Sequence, residues 1–323
     1  MRPIHIASTV SIASVLALAM CSCGPSSGAA ADVTPPTSAS SDASTHLPED
    51  AGIAADHAAA AAPDPTIVGP GSDHCEKATV IPLASARSEL HADTTGATHD
   101  IDAPCTSAGG ADVFYRFTVS RRVLVYADTF GATWNTALFL LSSTCAPLAK
   151  GMMEGDAVCS DDACGTPQSR LVTLLPPGDY RLGVGGPEVG AATVHFEIVP
   201  AASGTESELP AGRSAQSGTT QGESGNVQDG CLAAGPENGY WWTTCPSDRG
   251  GTLVASTCGG ASWETLLSLE MPRASASMCS SGTCNLQTEL RASVPAGAGV
   301  HQLVVDGPAA NARGPYVMQV DRP

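Results

Sequence analysis

Ten cysteines and one short run of carboxylates are the residues in this chain with chemistry to offer. Cys75, Cys105, Cys145, Cys159 and Cys164 form one group of five, and Cys231, Cys245, Cys258, Cys279 and Cys284 form a second. Cysteine at this density serves disulfides in oxidising compartments and zinc in reducing ones. Zinc needs ligand pairs at finger-like spacing, and Cys159 and Cys164 lack a second such pair, so disulfides are expected. Five per group leaves one over in each, which calls for a free thiol or a bridge between the groups. Cys75 with Cys105 is the expected first pair. Cys245 with Cys258 is not: if "GYWWTTC" and "TLVASTC" form a hairpin, the two cysteines lie at opposite ends. Seven residues at ~3.3 Å each put them roughly 20 Å apart, well past the ~7 Å that a bridge tolerates. Cys258 should instead meet the loop carrying Cys279 and Cys284.

The carboxylates are Asp156, Asp161 and Asp162. Three within seven residues could supply oxygens to a structural calcium ion, although the spacing is not that of an EF-hand; a solvated acidic turn is the plainer alternative. No other cofactor is expected. The histidines are scattered: His46, His57 and His74 show no metal-ligand spacing. No H-E-x-x-H or phosphate-binding glycine loop is present. A binding module should lack any pocket joining His, Ser or carboxylates within hydrogen-bond reach, whereas an enzyme needs one, so a convergent cluster around His195 or His301 would overturn a binding-only reading.

The elements that must position these residues are written twice. At the 126-residue offset that aligns Cys105 with Cys231, Arg87-Ser88 falls on Arg213-Ser214, Thr94 on Thr220, Gly96 on Gly222 and Gly109 on Gly235. Phe114-Tyr115 falls on Tyr240-Trp241. Further on, "TWNTALFLL" matches "SWETLLSLE", "CSDDAC" matches "CSSGTC" and "PPGDYRLGVGG" matches "GAGVHQLVVDG". Within each copy the runs alternate with period two. Val113, Tyr115, Phe117 and Val119 share one face, as do Tyr180, Leu182 and Val184. Seven or eight short strands per copy, separated by turn signals, predict an all-β chain of two tandem jelly-roll-like antiparallel sandwiches. Trp134 and Trp263 align and read as structural posts. His301 aligns with inward-facing Tyr180 and reads as a half-buried, hydrogen-bonded histidine. Trp242 aligns with outward Arg116, which makes its indole a candidate ligand contact or a packing surface against the other copy.

Around the repeats the sequence divides as follows. Residues 1–23 read as a lipoprotein-type signal peptide: an apolar run ends at "LAMCSCG", with Cys21, or alternatively Cys23, as the lipidated residue. Residues 24–70 are rich in Ala, Ser, Thr and Pro and read as a disordered tether. The first sandwich is placed at 71–200, a linker at 201–209 and the second sandwich at 210–323. A formal charge of −17 repels phosphates and argues against nucleic acid as a partner.

The ordered pieces "CEKATVIPL", "GGADVFYRFTV", "WNTALFLLSSTC" and "PPGDYRLGVGG", with their second-copy counterparts, resemble the bacterial pre-peptidase C-terminal (PPC-type) domain. The resemblance implies a jelly-roll-like sandwich, similar to collagen-binding modules that hold calcium, appended to secreted proteases or repeated in extracellular proteins. It implies no catalysis of its own. The expected function is thus that of a non-catalytic, exported envelope protein that binds protein or polysaccharide, or has a structural role, and touches the membrane only through its lipid. The alternative is a targeting or accessory part of a secreted protease system, or a hydrolase without a recognisable motif.

Overall fold

The alternating runs become strands, and the strands form four sheets. The computed structural model describes residues 64–102, 105, 109–148, 158–223, 225, 235–274 and 276–323; Cys21, Cys23, Asp156 and Cys231 lie outside the described residues. The first copy contains β1 (Thr66–Val68), β2 (Thr79–Val80), β3 (Arg87–Asp93), β4 (Val113–Val119), β5 (Val123–Asp128), β6 (Ala137–Ser142), β7 (Cys159–Ser160), β8 (Arg170–Leu175), β9 (Gly178–Gly185) and β10 (Ala191–Pro200). The second contains β11 (Glu206–Glu208), β12 (Gly212–Thr219), β13 (Asn238–Thr244), β14 (Gly251–Ser256), β15 (Leu266–Met271), β16 (Ala276–Ser281), β17 (Glu289–Val294), β18 (Gly299–Asp306) and β19 (Pro315–Arg322).

Sheet β1-β3-β10-β5-β8 faces sheet β2-β4-β9-β6-β7, and sheet β12-β19-β14-β17 faces sheet β11-β13-β18-β15-β16. Apart from β1, the strand orders of the two copies coincide, so the duplication seen in the sequence is a duplication of topology. The period-two faces are the core: Val113, Tyr115, Phe117 and Val119 from β4 and Tyr180, Leu182 and Val184 from β9 pack against Leu90, Val125, Val194 and Phe196 of the opposite sheet. The tryptophan posts match as well. Trp134 Nε1 donates to Ala191 O and Trp263 Nε1 to Pro315 O, each at 3.0 Å. In both copies a buried threonine pair closes the two ends of the same loop at 2.6 Å, Thr129 with Thr136 between β5 and β6 and Thr257 with Thr265 between β14 and β15.

The two sandwiches meet sheet on sheet. Leu124 and Tyr126 of β5, Leu174 of β8 and Val199 of β10 form one apolar cluster with Trp241 of β13 and Val300 of β18. Hence β5 and β18 are buried at every position, because each has a core on one face and the other sandwich on the opposite face. The opposite exterior, on β12, alternates half-buried with exposed along its length, as a solvated face must.

Two boundaries and one register differ from the sequence reading. Residues 66–68, assigned to the tether, pair in parallel with β3. The stretch 201–209, assigned to a linker, carries β11, and Ala201, Ala202 and Leu209 within it are fully buried. The ungapped alignment also slips by one residue before β13. Phe117 pairs with Tyr180, whereas Trp242 pairs with His301, so Trp242 is the counterpart of Phe117 and not of Arg116. A one-residue slip inverts every face of a strand.

The glycines confirm the corrected register. A Cβ at Gly110 would run into the Gly186 carbonyl, and one at Gly235 into the Gly307 carbonyl; Gly110, not Gly109, is therefore the partner of Gly235. Gly110→Ala is expected to destabilise the first sandwich by about 1–3 kcal/mol through overpacking against main chain, read as a lower urea midpoint with unchanged slope.

The cysteine pairing corrects one expectation and bears out another. Cys75 bridges Cys145 and Cys105 bridges Cys159, so the expected Cys75–Cys105 pair does not form. Both bridges lie over the outer face of the β4 sheet, around Phe114, Phe139 and Leu141. The fold carries Cys75 past Cys105 to Cys145, on the loop after β6. Cys258 bridges Cys284, on the loop where it was expected. Cys164 bridges Cys245, so of the two outcomes the odd count left open, a free thiol or a link between copies, the link forms. Cys279 is also disulfide-bonded.

Candidate functional site

Where the sandwiches meet, the outward residues of β5 and β10 grade from apolar to charged. Antiparallel register sets Leu124 beside Val199, Tyr126 beside Glu197 and Asp128 beside His195. Alternation alone puts each trio on one strand face; only the pairing sets the trios side by side. From the second sandwich, the 3₁₀ turn Pro272–Ala274 after β15 delivers Arg273 into the charged end.

The resulting cluster is close and largely dry. Asp128 is fully buried and Glu197 is 2% exposed. Arg273 donates to Asp128 Oδ2 at 2.7 Å and to Glu197 Oε1 at 2.9 Å. Asp128 Oδ2 also accepts from Tyr126 OH at 2.8 Å, and its Oδ1 accepts from the Phe130 amide at 3.1 Å. His195 Nδ1 lies 2.9 Å from Asp128 Oδ1. The Arg273 guanidinium also sits 5.6 Å above the Tyr126 ring, a cation–π contact that adds to the clamp.

Burial pushes the Asp128 carboxyl up, but the His195 hydrogen bond and the Arg273 charge outweigh it and hold the group below the usual carboxylate range. For Glu197 burial wins, and its carboxyl lies above the usual range despite Arg273. An ionised Asp128 accepts, so His195 Nδ1 carries the proton in that contact. With its side chain about one-third exposed, the ring is open to solvent. That is the geometry of an oriented imidazole base. A hydrolytic triad needs a third member, a nucleophile in reach of Nε2. Among the described residues, no hydroxyl or thiol hydrogen-bonds that nitrogen.

The other sequence candidates are dispersed. Trp242 is fully buried, which corrects its reading as an exposed ligand contact. Its ring stacks on His301 with centroids 5.0 Å apart, and Trp241 is the residue that faces the other sandwich. His301 is 3% exposed, and burial, with help from the Arg322 and Arg273 charges, pushes it down to about 4. A histidine depressed below its unfolded value contributes stability that is full above the unfolded value and is lost as the pH falls toward the folded one. The His301 ring is accordingly expected to stay neutral down to about pH 4 in an NMR titration, and the protein to lose stability between about pH 6.5 and that point.

Asp161 is half-buried and Asp162 exposed. Burial and the Asp162 charge push the Asp161 carboxyl up. Among the described residues no three histidine, cysteine or carboxylate side chains are grouped as a metal ion requires; Asp156 lies outside them. A second polar cluster lies at the edge of the first sandwich. There Asp112, raised to about 6 by burial, accepts from the Asp100 and Ile101 amides, while His74 meets Asp100 at 3.0 Å and His99 meets Asp102 at 2.9 Å. These contacts pin one loop.

The sequence did carry a signal for the interfacial cluster: "VLVYAD" and "VHFEIV" each put polar residues on an otherwise apolar face. No spacing indicated that the two segments are neighbours, or that Arg273 joins them.

No family model and no curated protein matches the chain. Among solved structures, the CUB1-EGF-CUB2 domains of rat MASP-1 align with 8% identity over 75% of this chain and 99% of that one, at a TM-score of 0.19. That score is too low to carry an argument. Four described disulfides place the protein in an oxidising environment, and no helix among the described residues is long and apolar enough to cross a membrane.

Proposed function

We propose that the chain is an exported, non-catalytic envelope protein, anchored through a lipid on Cys21 or Cys23, that presents two joined β-sandwiches to a protein or polysaccharide ligand. The observation that carries this reading is how the titratable groups are used. The most buried cluster of them among the described residues spans the contact between sandwiches, and Asp128 and Glu197 are engaged by Arg273 from the other side. Such a cluster fixes the relative placement of two modules, as a binding or scaffolding protein requires. The resemblance of both copies to PPC-type domains supports the same reading, and the charge of −17 weighs against nucleic acid.

The test is retention of envelope proteins or glycans by the tagged mature protein, with and without chelator. Saturable retention of one ligand class is expected. Loss of that retention with chelator would assign calcium to the Asp161–Asp162 loop, and indifference to chelator would remove calcium from the account.

A second reading, that of a hydrolase, is favoured by the His195–Asp128 pair alone. Turnover of an ester, amide or glycoside panel that His195→Asn abolishes, in a variant that stays folded, would replace the first reading with this one.

A further inference from the structure

The bridge between the sandwiches has a neighbour that the other described bridges lack. Arg170, on β8, places Nη1 3.4 Å from Cys164 Sγ and 3.5 Å from Cys245 Sγ, with the Thr244 carbonyl 3.5 Å away. A guanidinium against both sulfurs favours whichever one leaves as a thiolate. Access differs too. Cys75 and Cys159, one from each bridge over the β4 sheet, are 2% and 8% exposed. Cys164 and Cys245 are both partly open to solvent, and Cys258 is exposed in its bridge to Cys284. The partners of Cys159 and Cys75, Cys105 and Cys145, are half-buried and the bonded Cys279 is exposed, so access alone does not single out Cys164–Cys245; among the described bridges the guanidinium beside both sulfurs does.

We propose that Cys164–Cys245 is a thiol–disulfide exchange site, at which a small or protein dithiol opens the covalent tie between the two sandwiches. The attacking thiolate bonds to Cys245 Sγ as the Cys164–Cys245 bond breaks, and Cys164 departs as a thiolate beside Arg170. The second thiol of the reductant then attacks its own partner in the mixed disulfide and releases Cys245. The dithiol ends as a disulfide, two electrons pass to the protein, and both cysteine thiolates take protons from water. What then holds the sandwiches together is the apolar contact around Tyr126 and Trp241 and the Arg273 clamp.

Exchange rates depend on the leaving thiol's acidity as well as on access, and this separates Cys164–Cys245 from the more exposed Cys258–Cys284 bridge. The oxidised full chain is treated with dithiothreitol without denaturant, and free cysteines are alkylated at intervals and located by mass spectrometry. Cys164 and Cys245 are expected to be labelled before Cys258 and Cys284, although Cys258 is the more exposed. Arg170→Gln should slow opening of Cys164–Cys245 about three- to fivefold, leave Cys258–Cys284 unchanged, and be reversed by Arg170→Lys. Both variants are first confirmed to carry every bridge by intact mass. Earlier opening of Cys258–Cys284, or an Arg170→Gln rate equal to wild type, would overturn the assignment.

Discussion

Replacing Arg273 with alanine is expected to destabilise the protein by about 3–5 kcal/mol, the range found when one partner of a buried ion pair is removed. The size follows from what is left behind. Asp128 is fully buried and Glu197 nearly so, and Arg273 is the cation that meets both. Surface pairs such as Arg213–Asp321, 2.8 Å apart but with the arginine side chain 88% exposed, should contribute far less. Chemical denaturation of Arg273→Ala beside Arg213→Ala checks the contrast, and equal effects would show that the interfacial pair is no more than a surface one.

The pH dependence carries the same assignment with opposite signs at the two carboxylates. Asp128 is depressed in the folded state, so its contribution is present above the unfolded value and is lost as the pH falls through the folded one. Glu197 is raised, so its contribution is present at low pH and is lost as the pH rises through its folded value. Arg273→Ala removes the charge that helps hold Asp128 down. The variant's acid-side loss of stability should therefore be shallower than that of wild type.

Trp242→Ala is expected to cost about 3–5 kcal/mol, as for other buried aromatics reduced to alanine. The fully buried indole fills the second sandwich, stacked on His301 and lying 5.7 Å from the Arg322 guanidinium. Its neighbour Trp241, 7% exposed, belongs to the contact between sandwiches. Trp241→Ala should leave the second core packed and loosen the docking instead. Hydrogen exchange distinguishes the two: Trp242→Ala should speed exchange through β14, β15 and β19, Trp241→Ala through β5 and β10. The reverse pattern would restore the uncorrected register, with Trp242 outward.

That register shows how far a sequence can be read. The alternation in "DVFYRFTV" and "DYRLGVGG" identified the core faces correctly, because a strand buried on one face must repeat with period two. In "GYWWTT" alternation fails as a guide. Both faces of β13 are covered, Tyr240 and Trp242 by one core and Trp241 by the other sandwich, so apolar residues run consecutively and carry no phase. Alignment to the first copy then decided the face, and a single-residue shift in the loop inverted it.

The cysteines divide the same way. Their number and grouping pointed to disulfides and required an accounting for the odd member of each group, since unpaired sulfur is unusual in an oxidising compartment. Pairing depends on which loops the sheets bring within about 6 Å, and order along the chain does not encode that. Cys75 reaches Cys145 across 70 residues at a Cα separation of 6.1 Å.

By itself the sequence determined the all-β class, the duplication, the inward faces of the singly buried strands and the presence of disulfides. All four follow from periodicity and composition, which are local. Tertiary structure alone decided that the two sandwiches dock sheet on sheet, that Cys164 meets Cys245, and that Asp128, His195, Glu197 and Arg273 converge. Those residues are up to 145 positions apart, from Asp128 to Arg273. What unites them is the stacking of separately formed faces, a choice made by packing and desolvation rather than by any spacing along the chain.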